Sequence, residues 1–142
     1  MTHRERVLKA LRCEEVDRIP WIPFSGCHSG ALIEANAREI LQSEDLMVRG
    51  AAAAIERYQP DGLPVTFDLQ IEAEAMGCEL NWGETNPPAV TSHPMEAGAA
   101  LADLRAPAAE DGRVGLVLNA TRRVRQDHPD IALYGLVTGP FT

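Results

Sequence analysis

Residues 62–80, GLPVTFDLQIEAEAMGCEL, decide how the rest of the chain is read. Leu63, Val65 and Phe67 form a short apolar run rich in β-branched and aromatic residues, with Gly62 just before it, and this predicts a strand. The run ends on Asp68. Ile71, Ala75 and Met76 then recur at helical spacing, and Gly77 suits a helix C-terminus. A carboxylate therefore stands where a strand stops and a helix begins. In a parallel α/β sheet or barrel, that edge is where side chains face a pocket. There a carboxylate can stabilise a developing cation or hold a proton. The alternative is that Asp68 N-caps the following helix, a position Asp favours.

Outward from this stretch the same alternation repeats. Residues 2–11 read as a helix capped by Thr2 with Glu5 three positions on. Residues 19–24, IPWIPF, form a short strand limited by two prolines, which cannot donate to a ladder. Ser25-Gly26-Cys27-His28-Ser29-Gly30 is a small-residue loop that backbone or ligand can approach closely. It lacks the spacing of a nucleotide-binding loop. Residues 31–41 are helical in pattern, and Ser43 caps a second helix over 44–58. Residues 78–82 predict a strand, and 83–94 a long loop or extended hairpin. A weaker helix follows from Ser92 or Met95 to Leu104, then a longer one over 111–126. Residues 131–137 have the pattern of a buried strand.

Strand and helix alternation over 19–24, 62–68 and 131–137 predicts an α/β fold with about three parallel strands. The chain reaches Thr142 just after a strand, where a crossover helix is due. It therefore reads as the front part of a larger unit, since a (β/α)8 barrel takes about 250 residues.

Composition narrows the function. The 45% hydrophobic and 24% charged fractions are those of a globular chain. With 21 acids against 13 bases the net charge is −8, which argues against nucleic acid and anionic membranes as partners. Residues 1–12 do not form a signal peptide, and no apolar run approaches the roughly 20 residues of a membrane helix. Cys13, Cys27 and Cys78 are scattered and odd in number, which points to reduced thiols in the cytoplasm and against a disulfide framework or structural zinc.

Three blocks carry a resemblance. R-x-R-V-L-K-A-L with V-D-R-I-P-W (4–21), F-D-L…E-A-E-A-M-G-C-E (67–79) and G-L-V-T-G-P-F-T (135–142) occur in the order found in the uroporphyrinogen decarboxylase superfamily. The chain resembles the N-terminal part of that superfamily, an incomplete barrel domain over 1–142. The resemblance implies a TIM-type barrel. It also implies that Asp68 matches the aspartate that stabilises a cationic intermediate in the decarboxylases. Phe24, Ser25, Gly26, His28 and Phe67 would line the substrate mouth after the first two strands, with Thr138, Gly139 and Phe141 after the third.

The decarboxylase branch carries R-Q-A-G-R-Y in the loop after the first strand, and its arginines bind substrate carboxylates. Here that loop has no arginine, although Arg is the side chain suited to gripping carboxylates bidentately. The E-A-E-A-M-G-C-E block is similar to the cobalamin-dependent methylcobamide:coenzyme M methyltransferase branch. That branch implies methyl transfer to a thiol, with zinc and a corrinoid protein as partner. Its zinc ligands, a His-x-Cys pair and a later Cys, have no match here. Cys27 and His28 are adjacent and lack a third ligand, so no metal site or cofactor is expected within these residues. The alternatives are porphyrinogen decarboxylation, or a non-catalytic α/β binding module or gene remnant. Glu72, Glu74, His93 and His128 read as solvated groups, Trp21 and Trp82 as packing, and Cys78 as a buried small side chain. The chain alone is expected to be inactive and to self-associate through an uncovered sheet edge.

Overall fold

The computed structural model describes residues 1–139. Helix α1 (His3–Leu11) starts as its sequence dictates: Thr2 Oγ1 accepts from the Glu5 N–H at 3.1 Å, and Glu5 returns to the Thr2 N–H at 2.8 Å. The expected 31–41 helix is instead two short ones, α2 (His28–Ala31) and α3 (Ala37–Leu41). Asn36 and Glu39 form a second reciprocal cap that restarts the chain as α3, after Glu34 has taken a left-handed φ of 60°. Helix α4 (Glu44–Tyr58) begins on Ser43, as expected, and ends where Gln59 turns left-handed.

Strand β1 (Gly62–Leu63) follows, then α5 (Ile71–Ala75), the hairpin β2 (Glu79–Asn81) and β3 (Ala89–Ser92), helix α6 (Gly112–Asp127) and strand β4 (Ala132–Leu133). Strands β1 and β4 pair in parallel, Gly62 opposite Ala132 and Leu63 opposite Leu133. The β2–β3 pair is antiparallel, so residues 83–94 do contain one arm of a hairpin. The 92–104 helix does not form. Residues 101–103 make a single 3-10 turn, because Gly98 adopts φ +97° and Leu101 finds no core to cover it.

The two predicted strands at 62–68 and 131–137 are real but short. Pro64 removes the donor that would extend β1, although residues 64–66 stay buried. Residues 19–24 are extended without becoming a strand, so the expected three-stranded parallel ladder is a two-stranded one. Pro20 and Pro23 lack N–H groups, and the Trp21 N–H goes to the Asp61 side chain at 2.8 Å rather than to a ladder. One backbone bond, Asp61 N–H to Trp21 O at 2.8 Å, still holds the segment to the entry of β1. Gly62 is wedged in place: a Cβ there would lie 2.6 Å from Ile22 Cγ2 and 2.8 Å from Ala132 O.

The apolar core lies between α4, α6 and the parallel pair. Met47, Ala51, Ala54 and Ile55 meet Ala120 and Val124 over Leu63 and Val65. Arg123 of α6 bridges to Glu44 at 2.8 Å and Asp45 at 2.6 Å, pinning α6 to the start of α4.

At the entry of β1 the fold buries a charge. Asp61 has no exposed side-chain surface. It accepts from Arg6 Nη1 at 2.6 Å, from Arg18 at 2.5 and 2.8 Å, and from the Trp21 N–H, with His3 Nδ1 at 2.9 Å. Burial alone would raise its pKa, but the bonds from Arg18, Trp21, His3 and Arg6 outweigh this and hold it well below the carboxylate range. Because the folded value is depressed, its stabilisation is complete above the unfolded value near 4 and is lost as pH falls. Asp61→Asn should cost about 3 kcal/mol in urea unfolding near neutral pH, since it removes the charge that faces the buried Arg6 guanidinium. The variant should also lose part of the acid sensitivity of the wild type between about pH 5 and 2. An unchanged unfolding midpoint would show that the cluster does not hold the fold.

Candidate functional site

Asp68 leaves the buried run after β1 and is itself buried. One carboxylate oxygen accepts from the Gln70 N–H at 2.8 Å; the other accepts from Arg113 Nη1. The N-cap position of α5 belongs to Gln70, not to Asp68, so the capping alternative is corrected. Arg113, in the first turn of α6, also donates from Nε to Glu74 Oε2 at 2.5 Å. Its guanidinium carbon lies 4.7 Å from the Trp82 ring centroid, so Trp82 is packing of a specific kind, a cation–π floor. Arg113 Nη2 is buried without a partner among the described residues.

An aromatic group forms the neighbouring wall. Phe24 meets Phe67 edge-on at 5.1 Å and Tyr134 at 6.0 Å. Gly26, at φ +50°, turns the loop across Phe67, whose Cβ lies 3.4 Å from where a Gly26 Cβ would stand. Thr138 Oγ1 donates to Leu69 O at 2.6 Å, which carries the segment after β4 to the residue beside Asp68. Asp68, Val65, Ile71, Glu72 and Tyr134 border a cavity of about 260 Å³.

Not every predicted residue joins this cluster. Ser25 accepts from Ser29 Oγ at 2.7 Å. His28 Nε2 is within 2.6 Å of the Tyr58 hydroxyl, and His28 borders a different cleft with Asn36 and Glu84. Gly139 is exposed, and Phe141 lies outside the described residues. Cys27 does lie close enough to Asp68 to feel it: burial, then the Asp68 charge, push its thiol pKa up.

Arg113 and Tyr134 were not singled out by apolar patterning, because both sit inside runs read for their hydrophobic neighbours. A signal for Arg113 exists all the same. A cation in the first turn of a helix opposes the helix dipole, so it has reason to be there only if carboxylates hold it. Zinc, which the methyltransferase resemblance implies, does not fit here: among the described residues no three His, Cys, Asp or Glu side chains converge. No helix among them is long and apolar enough to cross a membrane.

The parallel pair, its covering helices and a buried carboxylate past the strand end are those of an α/β barrel wall. The profile of the family "Uroporphyrinogen decarboxylase (URO-D)" matches residues 2–142, and the chain belongs to that family. It is 28% identical over 146 residues to the methylcobamide:CoM methyltransferase MtbA of Methanosarcina acetivorans, covering 99% of this chain and 43% of that protein. It is 30% identical, with the same coverage, to MtaA of Methanosarcina barkeri. It is 27% identical to the uroporphyrinogen decarboxylase of Anaeromyxobacter dehalogenans, covering all of this chain and 44% of that one. A solved methyltransferase from Methanosarcina mazei superposes with a TM-score of 0.82 at 31% identity, over 99% of this chain and 43% of its own. The chain thus spans less than half the length of these relatives, and its fold is that of a partial barrel.

The Asp68–Arg113 pair makes a quantitative expectation. Arg113→Met leaves a buried carboxylate unpaired and should cost about 3 kcal/mol, and Asp68→Asn a similar amount. The double variant should cost clearly less than the sum, because the two share one interaction. Strictly additive losses in chemical unfolding would show that the pair does not form.

Proposed function

We propose that this chain is the N-terminal part of a barrel enzyme that moves a methyl group from a corrinoid to a thiol. The observation that carries the reading is the mouth at residues 24–30. It offers Phe24, Ser25, Gly26, Cys27 and His28 and no guanidinium. The one buried arginine near Asp68 is already engaged by Asp68 and Glu74. A porphyrinogen with many carboxylates needs cations at its rim, and these residues supply none. The names of the Methanosarcina relatives support the same branch.

In this reading Phe24, Phe67 and Tyr134 provide an apolar wall that excludes water from one side of the pocket. Asp68 is the pocket carboxylate, fixed in direction by Arg113 and by the Gln70 N–H. The corrinoid, carried by a partner protein, supplies an electrophilic methyl group. The thiol-activating zinc would be held by residues beyond those described. The reaction would take place in the cytoplasm. Porphyrinogen decarboxylation is the second reading, favoured by the position of Asp68 past the strand end and by the decarboxylase relatives.

The test uses the complete product of the gene, purified and supplied with methylcobalamin and a small thiol, with demethylation followed by the cobalamin spectrum. Thiol-dependent demethylation, with no consumption of uroporphyrinogen, is the expected outcome. Asp68→Asn should lower turnover by about 100-fold, the scale of one lost electrostatic contact. The 142-residue chain assayed alone should turn over neither substrate. Uroporphyrinogen consumption without demethylation would select the second reading.

A further inference from the structure

Away from this pocket, the β2–β3 hairpin brings together two residues that lie fifteen apart in sequence. Glu79 pairs with Ser92, so the next opposed positions toward the open end are Cys78 and His93. The Cys78 sulfur lies 3.6 Å from His93 Nδ1, at the surface. Backbone features hold both partners. Gly77 takes φ +97°, and the Cys78 N–H is anchored on Ala73 O at 3.0 Å, ending α5. On the other strand Pro94 confines His93 to extended backbone. Pro94 Cγ also packs within 3.3 Å of the place a Gly77 Cβ would take. None of the hydrogen bonds among the described residues engages His93 Nε2, which leaves it free to pass a proton to water.

We propose that Cys78 and His93 form a nucleophile–base pair, a site of covalent modification by small uncharged electrophiles. Sulfur attacks carbon to form the S–C bond, the thiol proton passes to His93 Nδ1, and the carbon–leaving-group bond breaks with its electron pair. No oxidant is required. The electrophile class follows from the surroundings. Glu79 adjoins the thiol and the chain carries a net charge of −8, which disfavours anions. Met76 and Met95, two residues from Cys78 and His93, are exposed and apolar. The other cysteines are internal references: Cys13 is exposed with no imidazole partner among the described residues, and the Cys27 thiol is half-buried with its pKa raised.

The test is timed alkylation of the whole 142-residue chain with iodoacetamide, with each cysteine quantified by peptide mass spectrometry. Cys78 should label about tenfold or more faster than Cys13. His93→Gln should bring Cys78 down to the Cys13 rate and leave Cys13 unchanged. Thr91→Val removes the Thr91 hydroxyl bond to Glu79 O, loosening the hairpin while leaving the pair, and should change the Cys78 rate little. The proposal fails if Cys78 labels no faster than Cys13. It also fails if Thr91→Val slows Cys78 as much as His93→Gln does, since hairpin order and not the imidazole would then set the rate.

Discussion

The fold depends on the charge buried at Asp61. A carboxylate with no exposed surface is tolerated only where donors replace its lost water, and here two guanidinium groups, an imidazole and a backbone N–H do so. The four donors come from three places: His3 and Arg6 from α1, Arg18 from the turn after it, and Trp21 from the extended segment. Arg6 is itself held from the other side by Asp17, whose carboxyl it draws down to about 2. The first 21 residues are thus fastened to one point at the entry of β1. Apolar contact could not place them so specifically, because hydrophobic burial has no direction.

Asp61 and Asp68 bracket the same run of chain, and their environments divide the labour. Asp61 stands at the entry of β1 and Asp68 beyond its exit, at most about 23 Å apart were the run between them fully extended. Asp61, at the entry, has every oxygen saturated and is a fastening. Asp68, at the exit, has one guanidinium and one backbone N–H, and its partner Arg113 keeps an unsatisfied buried Nη2. In barrels the entry end serves stability and the exit end serves chemistry. The unsatisfied nitrogen at the exit follows that division, since incompletely paired buried polar atoms are rare where structure alone is at stake.

The helices were legible where local signals agreed with packing. Thr2 with Glu5, and Ser43 before a regular apolar stripe, mark their helices within a residue. Strand lengths were not legible, because apolar alternation reports burial and not pairing. Residues 64–66 are as buried as a strand interior yet lie outside the ladder after Pro64. The 92–104 segment shows the converse. Alanine-rich helix propensity there has no apolar face to bury, and propensity alone does not sustain a short helix. At the site, Asp68 stood out because strand grammar marks a strand end. Its partner forty-five residues on did not, because a contact across that separation leaves no local trace.

The apolar side chains left exposed bear on how such a wall is used. Ile19 is 88% exposed, Phe24 62% and Val137 77%. Side chains of this kind belong inside a closed barrel, where layers from alternate strands fill the axis. Phe24 is also the residue that joins Phe67 and Tyr134 into one aromatic wall. The aromatic wall that includes Tyr134, a residue of the pocket, and the filling of a closed barrel therefore draw on the same Phe24 side chain. Whatever strands complete the wall in the longer relatives would set how firmly Phe24 stands against Phe67 and Tyr134. The shape of the pocket is thus a property of the closed barrel, while the direction of the Asp68 carboxylate is already set within this chain by Arg113.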